Sequence, residues 1–389
     1  MNTNPLNRPN TVMGRALAER ALRLAAMQKA TFDTVTAGLI DLTQPALTPL
    51  PEHVLQAAKD ALDRGETHYT SRPGVPELRR AIAARSTSEG FPATADTTVV
   101  TNGGAEAIYI ALQAVLSAES TALVVEPVSP HVIEMITFIG AKIERISPSV
   151  GDRFVPSSSA IEQSRANALV ISSPSLISGV EIPASDLERL IGAAVAQGMD
   201  VILDRSGVPC LYQPQGAPFN AELGANVITI GSFSAGYGLH GWRVGFFTAP
   251  GDRAAKLRGL KQAMSICTTA VSQFAALAAL EGPTEWLAAR REEFNARRAA
   301  VVEQLRSSSF SVVSPDAYPA LLIDARSVHS NDRELTARLA REYGIAVEPG
   351  SRFGDSTQGF LRIDLGVESP VLRSGIERIA QVRAGGADE

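Results

Sequence analysis

Short runs of apolar residues alternate with segments of helical spacing through the middle of the chain. Runs that are rich in β-branched residues and end at turn residues are typical of buried strands. Strands are therefore predicted over residues 97–101, 122–125, 168–172, 200–204, 226–231 and 245–249. Because helices are predicted between most of them, the pattern favours an α/β layer with a mainly parallel sheet flanked by helices. Open sheets of this kind bind ligands at the carboxyl ends of their strands.

The two ends of the chain carry different patterns. Residues 12–30 have the spacing of an amphipathic helix, residues 39–51 are extended and proline-rich, and residues 51–65 predict a second helix. Residues 252–308 are mostly helical in spacing, with a break at Glu281-Gly-Pro, and the remainder mixes short strands with helices, one of them over 333–343. These patterns predict a large α/β domain over 49–285 and a smaller α+β domain formed by segments 1–48 and 286–389.

Composition narrows the class of protein. The net charge is −5, and the basic residues are spread along the chain, so nucleic acid is not an expected partner. Two cysteines form no disulfide framework, which favours a reducing, cytoplasmic compartment. No apolar run has the length of a membrane span, and the first residues lack the apolar core of a signal peptide. The histidines do not form a ligand cluster, so no metal site is expected.

Several segments resemble, in order, the class I/II aminotransferases, which are pyridoxal-phosphate enzymes of fold type I. They are HYTSRPGVPELRRAIA (68–83), TNGGAEAIYIALQAV (101–115), SFSAGYGLHGWRVG (232–245) and PGSRFG with GFLRIDLG (349–366). The resemblance covers nearly the whole length. It implies the family fold, a homodimer with its active site at the interface, and a site for pyridoxal phosphate.

One departure from the family pattern stands at its catalytic centre. The family segment reads S-x-S-K, and its lysine forms the Schiff base with the cofactor and later moves a proton. The aligned residue of this chain is Ala235. The spacing supports the alignment, because the family arginine lies eight residues beyond the lysine and Arg243 lies eight residues beyond Ala235. The resemblance therefore implies a homologue without a covalently bound cofactor.

The phosphate end of the site matches the family. Glycines open a predicted helix whose N–H groups and dipole suit an anion, and the S-x-S segment adds hydroxyls and a guanidinium. The alternative is that the glycines only make turns and the arginine only a surface ion pair. The predicted cofactor-binding residues are Gly103, Gly104, Ala105, Ser232, Ser234 and Arg243, with Tyr69 reaching the phosphate of the partner subunit's site by resemblance.

The substrate end also matches. The resemblance implies that Arg362 holds a substrate carboxylate, although a lone arginine in a strand also occurs as a structural residue. Gln44 falls at or near the family's substrate-side glycine, in a softer alignment.

The ring end differs from the family at several positions. Asp204 is kept, where the family aspartate pairs with the pyridine nitrogen. The two partners of the ring 3-oxygen become Leu176 and Gly207, and the stacking aromatic becomes Ser129. Together with Ala235 these changes reduce side-chain volume and make the lining of the pocket more apolar. They would either enlarge the pocket for another ligand or reflect decay of an unused site. Four departures favour natural divergence over an engineered change at position 235 alone.

The losses bear directly on function. Missing hydrogen bonds and stacking sum to about 3–5 kcal/mol, which weakens cofactor binding by about 10²–10⁴. Ordinary transamination is therefore not expected. The first hypothesis is a pyridoxal-phosphate-independent enzyme of specialised metabolism that acts on a carboxylate-bearing, amino-acid-derived ligand. The second is an enzyme that binds pyridoxal or pyridoxamine phosphate without a covalent link. The third is a non-catalytic binding or regulatory protein. Candidate catalytic residues are Asp204, His131 and Tyr237.

Overall fold

The computed structural model of the protein describes residues 39–44, 49–213, 218–251 and 253–383. Its strands, in chain order, are β1 (Ile40–Asp41), β2 (Thr98–Thr101), β3 (Thr121–Val125), β4 (Lys142–Ile146), β5 (Ala168–Ser172), β6 (Asp200–Asp204), β7 (Val227–Ser232), β8 (Gly245–Thr248), β9 (Ser311–Val312), β10 (Ala320–Asp324), β11 (Ile345–Ala346), β12 (Glu348–Pro349) and β13 (Phe360–Asp364). The α-helices are Glu52–Asp63, Pro76–Ser88, Gly104–Val115, Pro130–Ile139, Ser158–Gln163, Ala184–Ala196, Ala221–Gly224, Arg253–Ser265, Ala270–Glu281, Glu285–Leu305, Asp332–Arg338 and Ser369–Ala380.

A seven-stranded sheet forms the centre of the described chain, in the order β2-β8-β7-β6-β5-β3-β4. The pairs from β7 to β4 are parallel, whereas β8 runs antiparallel to both of its neighbours. Strands such as β5 and β6 are apolar along most of their length because helices cover both faces of the sheet. The predicted fold class, a mainly parallel sheet flanked by helices, is confirmed, and so are the six predicted strands.

The sequence pattern missed β4 at the edge of this sheet. Its residues, Lys-Ile-Glu-Arg-Ile, are exposed or half-buried, and they do not show the continuous apolar run of the inner strands. Charged residues are common on edge strands, where they discourage pairing with another chain. An edge strand of this kind gives little hydrophobic signal.

Local sequence signals account for most helix boundaries. Pro76 and Pro130 occupy the first helical position, and the chain breaks between the helices Ala270–Glu281 and Glu285–Leu305 at Gly282-Pro283, as predicted. The helix predicted over 333–343 is α-helical over Asp332–Arg338 and continues as one π-helical turn over Leu339–Tyr343. The amphipathic helix predicted over 12–30 lies outside the described residues.

A smaller sheet, in the order β12-β13-β10-β9, is built from the C-terminal part of the chain. The N-terminal strand β1 pairs in parallel with β11, and the Leu42 carbonyl accepts a hydrogen bond from the Asp364 N–H. One hydrophobic cluster, which we call the small-domain core, joins Leu42 to residues of β10, β13 and the closing helix. The described segment around Leu42 therefore packs with the C-terminal elements, while the division into two domains at residues 48 and 285 stays a prediction.

Two properties of the described residues concern membrane-spanning helices and clusters of metal-ligating side chains. Among the described residues no helix is both long and apolar enough to cross a membrane. Over the same residues, no three histidine, cysteine, aspartate or glutamate side chains lie together in a way that could hold a metal ion.

Candidate functional site

The topology brings several polar segments to one edge of the central sheet. Strands β2, β6 and β7 point the same way, so the residues that follow Thr101, Asp204 and Ser232 gather at their carboxyl ends. Strand β8 runs in the opposite direction, and Arg243 precedes its first residue. Arg243 therefore reaches the same edge, although it lies at the other end of its strand. This edge is where open α/β sheets bind ligands.

Two glycines form the floor of a small concave surface at this edge. A Cβ atom on Gly103 would lie 2.3 Å from Nη2 of Arg243, and one on Gly104 would lie 3.2 Å from the Cβ of Ser232 and 3.6 Å from Oγ of Ser206. Ser232 and Ser234 are joined by a 3.1 Å contact between their hydroxyl oxygens. The surface consists of backbone N–H groups, hydroxyls and one guanidinium; we call it the anion cup and define it as Gly103, Gly104, Ala105, Ser206, Ser232, Ser234 and Arg243.

The helix that begins at the cup has no side-chain cap. Gly103 is its N-cap residue, with φ 86° and ψ 168°, a conformation that is essentially restricted to glycine. No described side chain accepts a hydrogen bond from the first turn at the N-cap position. Uncapped N–H groups and the positive end of the helix dipole both favour an anion. An uncapped helix start is the geometry that phosphate binding needs, and the binding role of these glycines stays a prediction.

Arg243 supplies the charge of the cup. Its Nη1 donates to the His240 carbonyl at 3.1 Å, and its Nη2 lies 3.5 Å from the Asn102 carbonyl. Carbonyl partners orient the guanidinium but do not neutralise it, so its positive charge remains available to a ligand. The backbone φ of Arg243 is 56°, in the left-handed region that a non-glycine residue adopts at a cost of about 1–3 kcal/mol.

Asp204 lies at the other side of the cup, at the end of β6. Burial raises the pKa of its carboxyl, and hydrogen bonds from Ser206 oppose that shift. The Ser206 N–H donates to Oδ1 of Asp204 at 2.9 Å. Asp204 is half-buried, and a desolvated carboxylate of this kind is stabilised by a cationic ligand group, such as a pyridinium nitrogen.

Ala235 and Leu176 share one apolar environment. Both side chains are partly buried, and both pack against the small-domain core. Gly207 lies nearby, because a Cβ atom there would be 2.5 Å from the Pro174 carbonyl oxygen in the segment that leads to Leu176. The close approach of these two segments leaves no space for a side chain at position 207. The ring end of the site is therefore lined by the methyl group of Ala235, the side chain of Leu176 and the backbone of Gly207, which together form an apolar wall.

Arg362 lies beside the same wall. Its Nη2 donates to the Leu176 carbonyl at 3.3 Å, and its guanidinium lies 5.6 Å from the centre of the Phe353 ring. Its Nη1 forms an ion pair with Glu348, and both side chains are largely buried. The resemblance implied that Arg362 holds a substrate carboxylate, with a structural role as the alternative. The structure shows that a carboxylate of the protein already contacts it.

Tyr237, a candidate for proton transfer, is directed away from the cup. It is 3% exposed, it packs on Phe233, and its hydroxyl accepts a hydrogen bond from Arg85. Burial also raises the pKa of its hydroxyl. Arg85 pairs in turn with Glu89, which also binds Arg205. Tyr237 thus belongs to a partly buried network of charged side chains, and no role in the proposed chemistry is assigned to it.

His131, the other candidate for proton transfer, faces solvent. Its side chain is 73% exposed and pairs with Glu134 one helical turn further on. Ser129 is the N-cap residue of this helix and is half-buried. The helix directs the His131 side chain outward, so its role in proton transfer stays a prediction that this exposure does not favour.

Two predicted residues lie at the surface. Tyr69 is 80% exposed, beside Thr70, whose hydroxyl lies 3.5 Å from the Thr268 carbonyl. Gln44 is exposed at the end of the described segment 39–44. Their assigned roles stay predictions.

Sequence reasoning missed two residues of the site. Ser206 was overlooked although it stands two residues after Asp204, a spacing at which a backbone N–H can donate to an aspartate side chain. Glu348 gives no motif signal. Its contact with Arg362 follows from the register of β12 against β13, in which the two residues are directly paired.

The fold and the site together define a class of protein. A mainly parallel seven-stranded sheet, an uncapped helix start with two serines and an arginine at its strand ends, and a half-buried aspartate beside them describe an α/β protein with a polar site at the strand ends. The family model of aminotransferase class I and II matches residues 39–379. The chain therefore belongs to the class I and II aminotransferase family.

Individual relatives agree with this assignment. The chain is 28% identical over 339 residues to the aspartate/prephenate aminotransferase of Thermus thermophilus, covering 85% of this chain and 87% of that protein. It is 29% identical over 343 residues to the arginine–pyruvate transaminase of Pseudomonas aeruginosa, covering 86% of each. The solved aspartate aminotransferase of Thermus thermophilus with maleate superposes with a TM-score of 0.83 at 26% identity, covering 94% of this chain and 96% of that one.

Proposed function

We propose that this chain is an aminotransferase-family enzyme of specialised metabolism that works independently of pyridoxal phosphate. The observation that carries the proposal is the identity of residue 235. By resemblance it occupies the position of the Schiff-base lysine, and it is an alanine that packs with Leu176 against the small-domain core. An alanine can neither bind a carbonyl covalently nor move a proton. Ordinary transamination therefore lacks its central group.

The residues present fit one part of pyridoxal phosphate and not the other. The anion cup suits a phosphate, and half-buried Asp204 suits a protonated pyridine nitrogen. Ala235, Leu176 and Gly207 supply no amine and no side-chain partner for the ring 3-oxygen. No step of chemistry through the bound cofactor is therefore assigned to this site.

The ligand of the proposed site carries an anionic group at one or both ends. The cup takes a phosphate or carboxylate, and Arg362, across the wall formed by Leu176 and Ala235, offers a second cationic group. The similar Thermus enzyme was solved with maleate, a dicarboxylate. These features support a carboxylate-bearing, amino-acid-derived ligand.

Asp204 favours a second candidate function. This carboxylate is half-buried, and desolvation disfavours its charged form although Ser206 donates hydrogen bonds to it, so a cationic ligand group would stabilise it. Pyridoxamine phosphate or pyridoxal phosphate, held without a covalent link, would bring such a cation together with the phosphate. The protein would then bind the vitamer reversibly between the cup and this aspartate.

Restoring the lysine separates these ideas from ordinary catalysis. Wild-type protein mixed with pyridoxal phosphate should show no more of the visible Schiff-base absorbance than its surface lysines produce. The Ala235→Lys variant should gain about one further chromophore per chain, because the cup would deliver the aldehyde to the new amine. Ala299→Lys, which adds a lysine at an exposed position of the helix Glu285–Leu305, is the matched control.

Calorimetry with pyridoxamine phosphate then distinguishes the two candidates. Binding by the wild type that depends on Arg243 supports the second candidate, and no binding supports the first. A stoichiometric Schiff-base band in the wild type, with turnover of an amino donor, would refute both.

We further propose that the protein is a cytoplasmic homodimer. Exposed Met264 and Ile266 stand just before Thr268, which lies against the segment of exposed Tyr69. Large apolar side chains on neighbouring segments support a protein–protein contact at this face. Sedimentation of the wild type and of Tyr69→Asp, at matched concentrations, tests the assembly.

A further inference from the structure

The arginine at the proposed carboxylate end is held by a glutamate of the same sheet. Glu348 and Arg362 are directly opposite each other on β12 and β13. Their side chains are 15% and 12% exposed, and Nη1 of the arginine contacts Oε2 of the glutamate. The second oxygen of Glu348 accepts from Arg352 at 2.9 Å. The glutamate therefore bridges two arginines.

A further carboxylate lies on the same strand face. Asp364 follows Arg362 by two residues on β13, so both side chains project to one side of the sheet. Two arginines and two carboxylates, when all are ionised, have a formal charge of zero. Arg362 is thus not the bare cation that a carboxylate ligand would meet on an otherwise uncharged surface.

Arg362 nevertheless keeps capacity for a ligand. Its Nε is buried and has no hydrogen-bond partner within the described residues. Its other contacts leave N–H groups unused, because a guanidinium carries five. A ligand carboxylate that binds Arg362 has to share or displace Glu348, which retains Arg352 through its second oxygen.

We propose that Glu348 is an internal competitor for the ligand carboxylate at Arg362 and thereby determines the specificity of this end of the pocket. The inference rests on the proposed function, since it needs a ligand that spans the anion cup and Arg362. Its consequence is a weak preference. The wild-type pocket distinguishes little between a carboxylate and an uncharged group of the same shape, and the full preference for a carboxylate emerges only when the charge of Glu348 is removed.

Two probes that differ in a single chemical group test the competitor role of Glu348. Phosphopyridoxyl-L-alanine and phosphopyridoxyl-L-alaninamide share the phosphate, the ring and a stable secondary amine, and they differ in a carboxylate against a carboxamide. Calorimetry gives the dissociation constant of each. In the wild type we expect the carboxylate probe to bind less than about threefold more tightly than the amide. In Glu348→Gln we expect its affinity to rise about tenfold, as for one charge-assisted contact, with the amide changed less than about twofold.

Two controls accompany the variant. Glu348→Asp keeps a carboxylate on the same strand and should preserve the wild-type ratio of the two affinities. Glu342→Gln removes a carboxylate that pairs with arginines at the exposed end of a helix, and it should change neither affinity. The amide probe also reports folding, because a misfolded Glu348→Gln variant would lose affinity for both probes. In that case Glu348→Asp would still give the ratio of the two affinities.

The outcomes separate this inference from the proposed function. If neither probe binds the wild type, the second candidate function and this inference are both refuted, whereas the first candidate function stands. If both probes bind but the wild type already prefers the carboxylate by tenfold or more, or if Glu348→Gln leaves the ratio unchanged, the competitor role alone is refuted.

Discussion

Gly103→Ala is the substitution that tests the anion cup most sharply. Gly103 has φ 86° and ψ 168°, a region in which a residue with a side chain is strained by about 1–3 kcal/mol. The added Cβ would also lie 2.3 Å from Nη2 of Arg243, far inside contact distance. Because the guanidinium is the flexible partner, it should move away from the cup while the backbone strain remains.

Two measurable effects follow from that geometry. The free energy of unfolding should fall by about 1–3 kcal/mol, the strain at Gly103. Displacing Arg243 removes one charged hydrogen bond to the ligand, about 1.5–3 kcal/mol, so affinity for an anion should fall about tenfold to a hundredfold.

Urea unfolding and calorimetric titration with inorganic phosphate and pyridoxamine phosphate measure the two effects. Gly241→Ala is the matched control: it lies in the same segment as Arg243, and a Cβ there would meet no atom within 4 Å. That variant should bind and unfold like the wild type. If Gly103→Ala is destabilised yet binds both anions as tightly as the wild type, the cup is not the anion site.

Two further predictions concern buried charges. Glu89→Gln should lower the free energy of unfolding by about 2–3 kcal/mol in urea melts, because Glu89 pairs with largely buried Arg205 and with Arg85. The control Glu77→Gln changes an exposed ion pair and should alter the free energy of unfolding by less than about 0.5 kcal/mol. Equal effects of the two substitutions would contradict the stabilising role of Glu89. Burial raises the pKa of Asp364 to about 6, so the folded protein holds a proton that the unfolded chain has already lost near pH 4. Wild-type stability should therefore fall by about 2 kcal/mol more than that of Asp364→Asn as the pH rises from about 4 to 6, with little further divergence above about pH 7, and parallel melts across that range would disprove it.

Much of the fold was readable from the sequence because its signals are local and strong. Inner strands such as β5 and β6 are unbroken apolar runs, and Gly282-Pro283 ends a helix by backbone chemistry alone. The edge strand β4 was missed because half-exposed charged residues carry no such signal. Hydrophobic pattern thus reports burial, and it fails where an element is only partly buried.

The site was predictable to the extent that its parts lie close in sequence. Gly103, Gly104 and the S-x-S segment are contiguous motifs, and the structure places them together with Arg243. The orientation of single side chains was not predictable. The direction of Tyr237 depends on Arg85, 152 residues away, and the pairing of Arg362 depends on strand register. Such contacts arise from tertiary packing, which motif spacing does not encode.

The most direct test of the central claim is a single-turnover assay of the wild type. Purified protein is mixed with stoichiometric pyridoxal phosphate and an excess of L-aspartate, L-arginine or L-phenylalanine, and pyridoxamine phosphate is quantified by chromatography against heat-denatured protein. We predict no formation above that background, because position 235 supplies no amine to bind the aldehyde or move a proton. Conversion of about one equivalent per chain, lost in Gly103→Ala, would contradict the account.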